Sequence, residues 1–143
     1  MSVLPRKALL AIAAVVEVAL QAPQRPIAAK SLAFRHGLPP RHLETVLQAL
    51  VREGILRGIR GPRGGYELAR ARQQVSASDI LRASGTAEAA VNGSASELMV
   101  KVVMPALSAA ENEFAQALSR ISLDELALLA ESTDAHQPPK THA

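Results

Sequence analysis

The side chains best suited to recognition chemistry lie in two groups. Residues 39–52 read as a helix whose outward face carries Pro40, Arg41, Glu44, Thr45 and Gln48, with His42 near the edge. Arginine offers two parallel donors, glutamine a donor beside an acceptor, and glutamate an acceptor, so this set can pair with the edges of guanine, adenine and cytosine. Taken alone, such a face reads as the solvated side that every surface helix has. The second group changes the balance. Arg57 lies on a short strand, Arg60 at the base of a hairpin tip, and Arg63 within that tip among Gly61, Pro62, Gly64 and Gly65. A tip of this composition has little to bury, and its arginines can reach phosphates or enter a narrow minor groove. Tyr66, the single tyrosine, reads as structural, its ring packed under the hairpin and its hydroxyl at the rim.

Other chemistries lack their parts. The chain has no cysteine, which removes disulfides, thiol switching and thiolate-held metals or clusters. There is no Ser-His-Asp or Cys-His set, no pair of carboxylates at a loop, and no phosphate-cradling GxGxxG or P-loop spacing. His36 and His42 sit at the helix-turn-helix while His136 and His142 fall in the tail. Neither pair has metal-ligand spacing, and solvent-exposed histidines are expected. Catalysis, a metal and a cofactor are therefore not expected.

Charge is segregated along the chain. Residues 1–75 hold 12 Lys+Arg against 4 Asp+Glu, a net +8, whereas residues 76–143 hold 4 against 9, a net −5, consistent with +3 in all. A basic first half joined to an acidic second half fits a polyanion-binding unit attached to something that does not touch the polyanion. Hydrophobic residues make up 48% but aromatics only 2%, which favours close-packed helices over a sandwich.

The positioning elements follow from periodicity and punctuation. A first helix over residues 5–21 places Leu9, Ile12, Ala13, Val16 and Leu20 on one apolar face. Arg6 and Lys7 before the apolar run 8–16 mimic a secretory leader, but the run is too short to span a bilayer and Glu17 breaks it; a cytoplasmic protein without a membrane partner is expected. A second helix is predicted over residues 27–35, with Ala28, Ala29, Leu32 and Ala33 allowing close approach. Gly37 closes it in a left-handed conformation, and Pro39-Pro40 starts the third helix, whose buried stripe is Leu43, Val46, Leu47, Leu50 and Val51. Two helices across a short glycine turn make a helix-turn-helix. Residues 55–60 and 66–70 are predicted strands flanking the turn 61–65.

Ser76-Ala77-Ser78-Asp79 is a capping box opening a short helix to about residue 82, with Ile80 and Leu81 inward. Residues 85–95 read as a linker. A box at residues 94–97 opens the longest helical region, reaching about residue 121, which Pro105 should kink or split. Leu107, Ala110, Phe114, Ala117, Leu118 and Ile121 then form an apolar stripe. A second copy of the chain is its expected cover, with the first helix of the same chain the alternative. A third box, residues 122–125, starts a last helix that docks through Leu126 and Leu129, and from Ser132 onward a disordered tail is expected.

Glu17-Val18-Ala19-Leu20, Leu50-Val51-Arg52-Glu53-Gly54, the tip Arg60-Gly61-Pro62-Arg63-Gly64-Gly65-Tyr66-Glu67-Leu68 and Ile121-Ser122-Leu123-Asp124-Glu125-Leu126 together resemble the Rrf-two (Rrf2) family of bacterial transcriptional regulators over about residues 3–131. The resemblance implies a mainly α fold with a small β-hairpin wing. Residues 1–84 would form a winged helix-turn-helix DNA-binding domain, 85–95 a linker, 96–131 dimerisation helices, and 132–143 the tail. It further implies a homodimer on a palindromic operator, with half-sites about one or two helical turns apart. Arg41, His42 and Glu44 would face bases, and Arg60 would enter the minor groove. Members that sense iron, nitric oxide or redox state carry three cysteines in the linker, which here reads Gly-Thr-Ala-Glu-Ala-Ala-Val-Asn-Gly-Ser-Ala. The chain thus resembles a cluster-free member, most simply a repressor, controlled by a small-molecule effector, a protein effector or its own concentration. The alternative is a winged helix that binds an acidic protein through the same basic surfaces.

Overall fold

Apolar and small residues run around the whole first helix, so its neighbours surround it. The computed structural model describes residues 3–21, 25–37, 39–85 and 96–133. Helix α1 (Arg6–Gln21) contacts three other helices and a strand: α3 (Pro40–Arg52), α4 (Ala77–Ala83), α6 (Leu123–Thr133) and β2 (Gly65–Leu68). Its buried positions are Ala8, Ala11, Ala14, Val15, Val18 and Ala19. The predicted face is therefore corrected: Leu9 is exposed, and Ile12, Ala13, Val16 and Leu20 are only half-buried. Alanines let neighbouring backbones come close, and a helix apolar all round gives its period no way to mark the best-covered side. Glu17 is buried too, its carboxylate accepting a 2.7 Å bond from Arg35 Nη1.

Helix α2 (Ala29–Arg35) packs on α3 through Leu32 and Ala33. Gly37 takes φ 64° after it, and Pro40 occupies the first turn of α3. Leu43, Val46, Leu47 and Leu50 of α3 are buried, but Val51 is exposed, so the predicted stripe ends one residue early. Each buried leucine contributes about 2 kcal/mol, against roughly 0.5 kcal/mol for an exposed ion pair. Packing, not surface charge, holds the helix-turn-helix together.

The chain leaves α3 through Glu53 and Gly54 (φ 76°), with the Ile55 N–H donating to the Leu50 carbonyl at 3.0 Å. Arg70 reinforces this exit, donating from Nη2 to the Glu53 carbonyl (3.0 Å) and from Nε to the Gly54 carbonyl (3.1 Å). Strands β1 (Leu56–Ile59) and β2 form the antiparallel wing, pairing Arg57 with Glu67 and Gly58 with Tyr66. Ile27 does not begin α2 as expected. It forms a bridge to Tyr66, its N–H donating to the Tyr66 carbonyl (3.0 Å) and its carbonyl accepting from the Tyr66 N–H (2.8 Å). The backbone pair with the hairpin takes the place of the two further helical residues expected at 27 and 28.

Ser76 caps α4 in the expected box: its hydroxyl accepts from the Asp79 N–H (3.1 Å), and the Asp79 carboxylate accepts from the Ser76 N–H (3.0 Å). Burial pushes the Asp79 carboxyl up, but the Ser76 bonds and the Arg82 and Arg70 guanidiniums outweigh it, so its pKa lies below the ordinary value. A depressed folded-state pKa stabilises the fold above the unfolded-state value, and that contribution disappears as pH falls through the lower folded value. Ser76→Ala should cost about 1 kcal/mol in a thermal melt at neutral pH. In the same assay the gap between wild type and Asp79→Asn should be full at neutrality and shrink below about pH 4; a gap that does not change with pH would contradict the assignment.

Pro105 does not break the long helical region. The ladder widens into a π segment over Met99–Val103, and α5 (Met104–Ser119) continues with Val103 and Met104 still helical. A π turn is one way to accommodate the missing proline N–H and the ring's clash with the preceding turn. Leu107, Ala110, Phe114 and Ala117 are exposed, with Leu107 at 53% and Phe114 at 40%. Leu118, at 9%, and half-buried Ile121 instead pack within the subunit, which corrects their placement on the outward stripe.

The cause is a second bridge, Ser76 to Ser122, in which Ala77 N–H donates to the Ile121 carbonyl (2.8 Å) and Leu123 N–H to the Val75 carbonyl (2.7 Å). Arg72 Nε adds a 2.7 Å bond to Asp124. Helix α6, capped by Ser122, thereby joins the main core through Leu123 and Ala127. Leu126 is half-buried, but Leu129 is exposed rather than docked. Ser132 and Thr133, expected in the tail, complete α6; residues 134–143 lie outside the described set, as do 86–95 of the linker and the first half of the box at 94–97. No helix among the described residues is long and apolar enough to cross a membrane.

Candidate nucleic-acid interface

Burying Leu43, Val46, Leu47 and Leu50 turns the other side of α3 to solvent. Pro40, Arg41, His42, Glu44, Thr45 and Gln48 are all exposed. Thr45 Oγ1 leans back toward the Arg41 carbonyl at 3.5 Å, a long contact that leaves the hydroxyl available. The wing is fixed to the end of α3 by Arg70 on one side and to Ile27, in the segment leading into α2, on the other. Helix and hairpin are thus braced as one unit.

Gly64 and Gly65 shape the tip. A Cβ on Gly64 would overlap the Ile59 carbonyl oxygen, and one on Gly65 would overlap the Ile27 carbonyl and the Ala28 nitrogen. Arg60, Gly61, Pro62 and Arg63 stand exposed beyond them. Among the described residues, Arg41, Arg60 and Arg63 make no ion pair, so their full charge faces outward. Arg57 differs: its Nε donates to Glu67 Oε1 at 2.6 Å. That pairing offsets its charge and makes it a brace across the hairpin before it is a phosphate contact. The strand register sets residues 57 and 67 opposite each other.

Sequence reasoning missed Arg25, which it placed in a connecting segment. It lines an open cleft of about 1010 Å³ between the start of α2 and the wing, with Ser31, Arg35, Arg63 and Gly64. Arg35 is committed to Glu17, so among the described residues Arg25 and Arg63 are the cleft's cations without an ion pair. His36, expected in solvent, is half-buried, and its Nε2 is buried without a hydrogen-bond partner.

Known proteins share this fold. The model of the Rrf2 family, described as an iron-dependent transcriptional regulator, matches residues 4–128. The HTH-type transcriptional regulator slr0846 of Synechocystis is 43% identical over 70 residues, covering 49% of this chain and 48% of that protein. The HTH-type regulator Rv1287 of Mycobacterium tuberculosis is 38% identical over 76 residues, covering 53% and 47%. The chain spans about half the length of the curated relatives it matches. Among solved structures, T. potens IscR superposes with a TM-score of 0.70 at 24% identity, covering 96% of this chain and 93% of that one. CymR, the global cysteine regulator of B. subtilis, superposes with a TM-score of 0.67 at 24% identity, covering 90% and 98%. At that identity the likeness shows a shared winged-helix fold.

The donor set does not fit the iron chemistry in the family's description. The chain has no thiolate to offer, and among the described residues no three His, Asp or Glu gather into a metal-holding group. The match over residues 4–128 establishes the ancestry: the chain belongs to the Rrf2 family of transcriptional regulators.

Proposed function

We propose that the chain is a sequence-specific DNA-binding regulator that acts, without an iron–sulfur cluster, as a homodimeric repressor on a palindromic operator. The observation that carries this reading is the exposed α3 face braced to a wing whose Arg60 and Arg63 make no ion pair among the described residues. Arg41, His42, Glu44 and Gln48 read base edges, Pro40 and Thr45 border them, and Arg60 enters the minor groove. Arg63 and Arg25 hold backbone phosphate, with Arg57 a weaker contributor. Residues 1–84 form the DNA-binding unit, 85–95 the linker and 96–131 the pairing unit, with α6 also serving the core of the first. Pairing is supported by an apolar surface on the helical region, in which Leu98, Met99, Val100, Val102, Val103, Met104, Leu107 and Phe114 are all exposed. Such a run is costly to leave in water, and a second copy offers the same surface in return. A bound dimer represses by occupancy, in the cytoplasm, and performs no catalysis.

Gel shifts on the region upstream of its own coding sequence test the reading. Affinity should fall steeply with added salt as neutralised phosphates release counterions. Arg41→Ala should lose about 1–3 kcal/mol on operator DNA and little on random duplex. Arg63→Ala should weaken both alike and reduce the salt slope by about one. Equal losses on both duplexes for both variants would reject this division of roles. A folded protein that leaves no footprint at low salt would reject DNA binding itself in favour of an acidic protein partner.

A further inference from the structure

Beside the DNA-facing side of α3 lies a smaller cavity of about 420 Å³, within the range of small-molecule sites. Its floor is apolar, made by Leu43 and Val46 from the buried stripe and by half-buried Leu10 of α1. Its wall carries positive charge from Arg6 and Lys7, His42 and Thr45 complete the lining, and no acid is among the described residues that line it. Arg6 and Lys7 also occupy the first turn of α1, which holds no acidic residue. Two cations there oppose the positive end of the helix dipole, and a bound anion relieves both strains. A greasy floor beside a wall of positive charge complements a molecule with an apolar body and one negative head.

From this complementarity we infer that the cavity is an effector site for small monocarboxylates with an apolar chain, and that its occupancy opposes DNA docking. The carboxylate sits between Arg6 and Lys7 while the chain lies on Leu10, Leu43 and Val46. Antagonism follows because His42 and Thr45 belong at once to the cavity wall and to the DNA-facing set, and because the bound charge lowers the positive potential that draws phosphate. That second half rests on the DNA-binding reading above; ligand binding itself does not.

Calorimetry with sodium octanoate, 1-octanol and sodium acetate, without DNA, tests the site. Octanoate should bind saturably, octanol about tenfold or more weakly for want of the charge-assisted bonds, and acetate not measurably. Leu10→Trp, which fills the floor from a half-buried position, should abolish octanoate binding, and Lys7→Glu should weaken it about tenfold; circular dichroism checks that both remain folded. Octanoate and octanol binding equally, or octanoate binding unchanged in Leu10→Trp, would mean adsorption on the exposed α5 surface and would overturn the site. Gel shifts then test antagonism: octanoate should release wild type from DNA and leave Leu10→Trp bound. Calorimetric binding without release overturns the regulatory role, whereas failure to bind DNA even without octanoate counts against the proposed function and leaves the calorimetric result standing.

Discussion

Gly65→Ala should detach the wing from the rest of the molecule. The added methyl would occupy the space of the Ile27 carbonyl and the Ala28 nitrogen, both backbone atoms that cannot swing aside. Relief requires breaking the Ile27 to Tyr66 bridge, with loss of two hydrogen bonds and of Tyr66 packing on the core. A cost of about 3 kcal/mol is expected, roughly a 10 °C drop in melting temperature for a domain of this size. Amide exchange should locate the damage: Ile27 and Tyr66 should lose protection before Leu47 or Leu50 does. Gly58→Ala supplies the contrast, because a Cβ there meets nothing within 4 Å, and it should stay within about 0.5 kcal/mol of wild type. If Gly65→Ala melts like Gly58→Ala, the wing is not anchored in the way described.

The paired change Leu107→Glu with Phe114→Glu should turn the proposed dimer into a folded monomer. Both side chains are substantially exposed in the single subunit, at 53% and 40%, so replacing them disturbs little of its own core. In a helix-to-helix interface, though, each would bury a carboxylate among apolar neighbours, and the dissociation constant should rise by about a hundredfold or more. Sedimentation velocity would show the mass halve while the circular dichroism spectrum persists. Leu118→Glu should behave differently, since that leucine is 9% exposed within its own subunit and the change should cost helicity. A wild-type chain that sediments as a monomer at micromolar concentration would remove the interface altogether.

What the sequence made readable was whatever a local rule governs. Pro40 starts α3, Gly37 turns left-handed between the helices, and Ser76 with Asp79 caps α4, each because a few neighbouring residues set the backbone geometry. Exposure of Arg41, Glu44 and Gln48 followed from a clean three-and-four spacing of buried residues on α3. Non-local pairings stayed hidden. Nothing within ten residues of Ile27 announces Tyr66, and the union of Arg57 with Glu67 depends on a register that the turn at residues 61–64 sets. Helix α1 defeated the periodicity argument for the opposite reason: with alanine and valine on every side, its pattern carries too little contrast to say which side the core prefers. Leu118 and Leu129 exchanged expected roles because the bridge at Ser76 and Ser122, rather than the stripe itself, decides which turns of α5 and α6 meet the core.

That bridge has a mechanical consequence. Val75 and Ala77 grip Ile121 and Leu123 through backbone bonds, and Arg72 grips Asp124, so the end of α5 cannot swivel freely against the winged unit. Two subunits clasped along α5 would then behave as a caliper with a nearly fixed jaw width. Inserting a single base pair at the centre of the target rotates one half-site by roughly 35° and carries it about 3.4 Å outward. A stiff gauge of this kind rejects such a target by measurement alone, with every contacted base still correct.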